Sequence, residues 1–212
     1  MQNKYFNLKT RIVILSALVI SFGLLTFAVK NGVIAAFESS IYTALAKYIN
    51  PALTNIMTVF TNLGSTVAII AIILALLVLP FTRANFGVPV AINAIFSSVL
   101  NRILKILIAR DRPDILRLVA ETGYGFPSGH AMNNAALYAI VIFIAFRQTK
   151  NKKVRIPVLL CGIMATFLIG VSRIYLGVHN AGDILAGWIM GVTAALLADT
   201  AYTALLQKTT HT

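Results

Sequence analysis

The sequence predicts an all-α, polytopic membrane protein with about six transmembrane helices and an amphipathic helix at the interface. Three observations predict it. Of 212 residues, 58% are hydrophobic and only 11% are charged, where soluble domains carry roughly 25% charge. The charges are confined to short gaps between apolar runs. Those runs are long enough to cross a hydrocarbon core about 30 Å thick. No gap is long enough to hold a soluble domain, so residues 1–212 read as a single integral-membrane domain.

Each element follows from its residues. Met1 to Arg11 is polar, with Lys4, Lys9 and Arg11, and Ile12 to Val29 is the first span. A signal peptide competes for that assignment. Its apolar region is usually about 7–15 residues long and ends at a small-residue site, whereas this run is longer and ends in Val29-Lys30-Asn31. Between Asn31 and Asn50, the residues Ile34, Phe37, Ile41, Leu45 and Tyr48 recur at helical spacing with Glu38, Ser39 and Lys47 between them. That pattern suits an amphipathic helix lying at the interface or packed outside the membrane. Pro51 opens the next helix, since proline is tolerated in a first turn. This second span reaches Leu79 and is broken by Pro80 to Gly87, which holds Arg83.

Val88 to Ile108, the third span, is unusually polar, with Asn93, Ser97, Ser98, Asn101, Arg102 and Lys105. Such a helix should face protein or a wet cavity. Ala109 to Phe126 is a charged loop, Pro127 to Phe146 the fourth span, and Arg147 to Arg155 a basic loop. Ile156 to Val171 and Ile184 to Leu206 are the fifth and sixth spans, and Gln207 to Thr212 is a polar tail. Gly187 and Gly191 match the small-residue spacing of close helix packing.

The formal net charge is +12. The aromatic-interleaved basic face of a nucleic-acid binder is absent, so membrane topology and an anionic ligand account for the charge. The one cysteine, Cys161, excludes an internal disulfide and reads as a small core residue. The basic block from Arg147 to Arg155 places that loop, and with it both termini, in the cytoplasm. The loop from Ala109 to Phe126 and the stretch from Ser172 to Asp183 then share the outer face.

Three segments meet at that rim. In Lys105 to Pro113 the two cations Lys105 and Arg112 are seven residues apart, near two helical turns, and Pro113 helps end the helix. Two cations aimed at one spot suit a phosphate, which arginine grips bidentately; snorkelling is the plainer explanation of either alone. In Pro127 to His130, a helix N-terminus offers amide hydrogens to an anion. Ser128 adds a hydroxyl, Gly129 close backbone approach, and His130 a titratable proton. In Ser172 to Asp183, His179 and Asp183 are spaced i, i+4 and so are neighbours on a helix. Arg173 stands beside them. Two of the three histidines in the chain fall in these segments.

The pattern Lys-x6-Arg-Pro, Pro-Ser-Gly-His, Ser-Arg-x5-His-x3-Asp resembles the three-part signature of the type 2 phosphatidic acid phosphatase superfamily. All three parts match in order and spacing. The resemblance implies a membrane lipid phosphatase with no metal or other cofactor, because fixed cations take the metal's place. It implies that His179 attacks phosphorus to form a phosphohistidine, that Asp183 orients its ring, and that His130 protonates the leaving oxygen. Lys105, Arg112 and Arg173, with Ser128 and the Gly129 amide, would hold the phosphate oxygens. Arg110 and Arg102 could touch a longer phosphate chain. Asp111, Asp114, Arg117 and Glu121 either shape the entrance or only solvate the loop, and solvation is the plainer reading.

The expected partners are membrane lipids and a lipid phosphate or pyrophosphate, with no nucleic acid. Small size and an outward site resemble bacterial members, and undecaprenyl pyrophosphate ranks slightly before phosphatidylglycerol phosphate. An anion or lipid transporter using the same basic rim is the competing class, but leaves the two histidines unexplained. A vanadium haloperoxidase fits the residues and not the six-span architecture.

Overall fold

The computed structural model describes residues 7–209. Lys4 and the end of the polar tail, residues 210–212, lie outside the described residues, and so does the side chain of Lys208. The first helix, α1 (Leu8–Lys30), is capped by Asn7, whose side-chain oxygen accepts from the Thr10 amide at 2.8 Å. Ile12, Val13, Val19, Ile20 and Leu24 point outward from it. Outward apolar side chains are what a hydrocarbon solvent selects.

After a turn with Gly32 at φ +69°, α2 (Ala35–Ala46) lies across the end of the bundle. Ile41 and Leu45 pack on Ile174, Ala181 and Ile184. Phe37 and Tyr48 of the same stretch stay exposed. α3 (Pro51–Leu63) and α4 (Thr66–Val78) are capped by Asn50 and Ser65 and meet at a bend of 47°.

The break expected over Pro80 to Gly87 shrinks to Leu79. The chain restarts at once as α5 (Pro80–Thr82), a π-helical turn (Arg83–Gly87) and α6 (Val88–Ile108), 29 helical residues in succession. Proline disfavours helical geometry at the residue before it but suits a first turn, and Leu79 is extended, so one helix ends before Pro80 and the next opens on it. The polar face expected of α6 is real. Asn93, Ser97 and Asn101 are buried, while Ser98 and Arg102 are exposed. Asn93 donates to the Ala136 carbonyl at 2.9 Å, Ser97 to Asn133 at 2.8 Å and Asn101 to the Pro127 carbonyl at 3.3 Å. Each bond ties α6 to the next helix or its start.

α7 (Gly129–Gln148), α8 (Lys152–Tyr175) and α9 (Ala181–Thr209) complete the fold. α7 and α9 form its buried centre, where Gly191 lets the two helices touch. A Cβ there would stand 2.3 Å from the Met132 carbonyl oxygen. Cys161 is exposed on α8, not in the core. Hydropathy cannot separate a lipid-facing position from a buried one, because both are apolar. Among the described residues five helices are long and apolar enough to cross a membrane, or six with the bent pair α3–α4 as one span. Far from the C-terminal ends of α6 and α8, buried Asp199 of α9 joins Arg11 of α1 at 2.8 Å and Arg147 of α7.

Candidate active site

The C-terminal ends of α6 and α8 and the N-terminal ends of α7 and α9 meet at one end of the bundle, with α2 laid beside them. This brings together all eight residues singled out from the sequence. The route differs from the expected one. Helix α6 stops at Ala109, which turns to φ 50°, so Lys105 and Arg112 do not share a helix face. An extended loop carries Arg112 back over the site instead. The Lys105 ammonium donates to the Tyr124 carbonyl within that loop.

His179 and Asp183 form the centre. Both are buried, His179 at 2% exposure and Asp183 at 0%. His179 Nδ1 lies 3.3 Å from Asp183 Oδ2, which also accepts from the Asn180 amide at 3.0 Å. With an ionised Asp183 as acceptor, the proton belongs on Nδ1 and the lone pair on Nε2. That Nε2 faces Arg112 Nη1 at 3.3 Å. Burial pushes the His179 pKa down to about 4 despite the hydrogen bond and charge of Asp183, and the Arg112 and Arg173 cations push the same way. The ring is therefore neutral at physiological pH.

Arg112 is fixed by carbonyls: Gly123 accepts from Nε at 3.0 Å, Val178 from Nη1 at 3.1 Å and Thr122 from Nη2 at 2.9 Å. Arg173, 2% exposed, donates to Thr61 Oγ1 of α3 at 2.6 Å. Its Nε is a buried N–H without a hydrogen-bond partner among the described residues. Ser128 caps α7 by accepting from the Ala131 amide at 3.4 Å, and its own amide donates to the Asp183 carbonyl at 3.0 Å. Gly129 lies against Asn101, where a Cβ would be 3.1 Å from Oδ1. His130, in the first turn of α7, lies within electrostatic reach of Arg173, Glu121, His179 and Arg112.

Two assignments change. Glu121 is no mere solvating charge: its carboxylate stands between Arg173, on Oε1, and Arg112, 3.4 Å from Oε2. Partial burial opposes its ionisation, but the Arg173 and Arg112 charges outweigh that and hold its pKa below the ordinary value. Arg110 does not face a ligand. Its Nη1 donates to Asp183 Oδ1 at 2.7 Å, and it grips the buried Glu38 of α2 with both terminal nitrogens. Asp111 and Asp114 are exposed, as loop solvation requires, and Arg102 is exposed on α6. Glu38 was the member of this cluster least visible beforehand. The signal for it was that it is the only acidic residue ahead of Asp111.

The sequence profile described as the PAP2 superfamily matches residues 86–205. Phosphatidylglycerophosphatase B of Bacillus subtilis is 30% identical over 182 residues, 83% of this chain and 88% of that protein. An undecaprenyl-diphosphatase of Sulfolobus acidocaldarius is 28% identical over 152 residues, 69% of each chain. The crystal structure of a transmembrane PAP2-type phosphatidylglycerolphosphate phosphatase from Bacillus subtilis superposes with a TM-score of 0.81 at 27% identity. It covers 90% of this chain and 96% of that one.

Proposed function

The chain belongs to the PAP2 superfamily, and from that premise we propose that it is an integral-membrane phosphatase that hydrolyses a lipid phosphate through a phosphohistidine. The observation that carries this reading is the pairing of a neutral, carboxylate-held His179 with an arginine 3.3 Å from its unprotonated nitrogen. A phosphoryl group held by Arg112 would lie in the path of that lone pair. In the first step His179 Nε2 bonds to phosphorus, the bond from phosphorus to the lipid oxygen breaks, and His130, which carries a proton once the phosphate anion is bound beside it, gives that proton to the oxygen. In the second, neutral His130 takes a proton from water, the water oxygen bonds to phosphorus, and the phosphorus–nitrogen bond breaks.

Most of the catalysis asked of the protein is positioning and charge stabilisation. Lys105, Arg112 and Arg173 supply three positive charges to the non-bridging oxygens, and the unpaired Arg173 Nε supports that role. Ser128 and the Gly129 amide add neutral donors at the start of α7. Substrate phosphate must displace the Glu121 carboxylate from the two arginines it bridges. The basic 147–155 loop at the opposite end supports an outward-facing site with that loop in the cytoplasm.

The similarity to phosphatidylglycerophosphatase B covers more of the chain and is higher in identity than that to the undecaprenyl-diphosphatase. It supports placing phosphatidylglycerol phosphate ahead of undecaprenyl pyrophosphate, the reverse of the order expected from size and sidedness. Purified protein in detergent, assayed on both lipids side by side with chelator present, tests the reading. Phosphate release from one or both is expected. Failure on every lipid phosphate, with anion flux in proteoliposomes, would replace the hydrolase with a transporter.

A further inference from the structure

The residue on the outer oxygen of Asp183 lies outside the three motif segments' matched positions. Arg110 Nη1 donates to Asp183 Oδ1 at 2.7 Å, leaving Oδ2 for His179 Nδ1 and the Asn180 amide. Arg110 is held in turn by Glu38, at 3.0 Å from Nη1 to Oε1 and 2.6 Å from Nη2 to Oε2. Glu38 is 5% exposed and also accepts from the Gly182 amide at 3.1 Å. Gly182 is cut to fit this carboxylate, since a Cβ there would meet Glu38 Oε1 at 2.5 Å. A bidentate pair of this kind, with the carboxylate buried and the guanidinium partly so, is geometrically restrictive, and its cost in desolvation calls for a reason beyond stability.

Building on the hydrolase reading above, we propose that Arg110 and Glu38 are positioning residues. They lock the Asp183 carboxylate, ionised and in one rotation, so that Oδ2 fixes His179 as the Nδ1–H tautomer with its lone pair on Nε2. Helix α2 thereby takes part in the chemistry through Glu38. Arg110 also tempers His179. It neutralises part of the Asp183 charge that would otherwise make the ring more basic. The groups facing this pair are Arg112 from the loop, Arg173 from α8, His130 from α7, Lys105 from α6 and Glu38 from α2. Removing Arg110 takes away one cation and leaves the two anions Asp183 and Glu38 uncompensated. The His179 pKa then rises, and the acid limb of kcat/KM moves to higher pH. Glu38→Gln removes an anion and cannot move the limb that way.

The test uses the full chain in detergent, with Arg110→Ala and Glu38→Gln assayed for lipid phosphate hydrolysis across pH. Arg110→Ala should lose about tenfold or more in kcat, with KM nearly unchanged and the acid limb moved up. Added guanidinium ion should restore part of the rate. Wild-type kcat in folded Arg110→Ala, or a loss with an unmoved limb and no guanidinium rescue, would overturn the proposal. Should Arg110→Ala fail to fold, Glu38→Gln decides: lowered kcat at constant KM supports it, and wild-type kcat refutes it. Nitrogen-15 spectra of histidine-labelled protein report the His179 tautomer independently of turnover. An Nδ1–H ring in wild type that becomes mixed in Arg110→Ala is expected, and an unchanged ring refutes the proposal. Absence of hydrolysis in wild type would count against the phosphatase reading alone, since the tautomer remains measurable.

Discussion

Arg112 Nη1 lies 3.3 Å from His179 Nε2, so the imidazole lone pair points at a cation before any substrate arrives. This contact and burial both favour the neutral ring. The pKa of about 4 has a direct kinetic consequence. Histidine attacks only when neutral, so activity should persist through pH 5 and fall near pH 4, not near the ordinary value of about 6.5. A pH profile of kcat/KM measures this, and an acid limb above pH 6 would contradict it. His179→Ala should lower kcat by about 10^4-fold or more.

His130 has a different signature. An acid that protonates the leaving oxygen matters most when that oxygen is a poor leaving group. His130→Ala should cost about 10^2- to 10^4-fold on an alkyl lipid phosphate and far less on an aryl phosphate such as p-nitrophenyl phosphate. Equal losses on the two would remove the general-acid role.

Glu121 competes with any phosphate for Arg112 and Arg173. Glu121→Gln removes the competing charge. Inhibition by orthovanadate should tighten by about tenfold, the equivalent of 1.4 kcal/mol, and KM should fall. An unchanged inhibition constant would mean that the carboxylate contributes nothing to holding the arginines.

The α7–α9 seam gives a stability prediction. Gly191→Ala places a methyl group 2.3 Å from the Met132 carbonyl oxygen, so one helix must shift. Overpacking of this kind costs about 1–3 kcal/mol. Thermal unfolding in detergent should show a lower midpoint, and an unchanged midpoint would show that the seam yields freely.

Much of the fold was legible because the bilayer imposes a simple pattern. Apolar runs marked the spans, Pro51 marked a helix start, and the polar stripe of Asn93, Ser97 and Asn101 marked a protein-facing side. Cys161 was misplaced because lipid and core select the same residues. The motif residues were legible because their types and spacing carry the chemistry. The counter-ions were not. Glu38, Arg110 and Glu121 lie far in sequence from some or all of their partners, and only folding pairs them. An acid in a loop looks the same whether it faces water or bridges two arginines.

The ion cluster of Arg11, Arg147 and Asp199 bears on the parity of membrane crossings. It puts the start of α1 and the late part of α9 at one level of the bundle, and an even number of crossings is the only count that allows this. The bent pair α3–α4 then runs the length of the bundle as one broken rod. Contacts at its two ends agree. The Asn50 amide bonds Tyr175 Oη at 3.4 Å at the catalytic end, and Tyr202 Oη reaches the Ala84 carbonyl at 3.5 Å just past the other. Reporter domains fused ahead of α1 and behind α9 would consequently emerge in the same compartment.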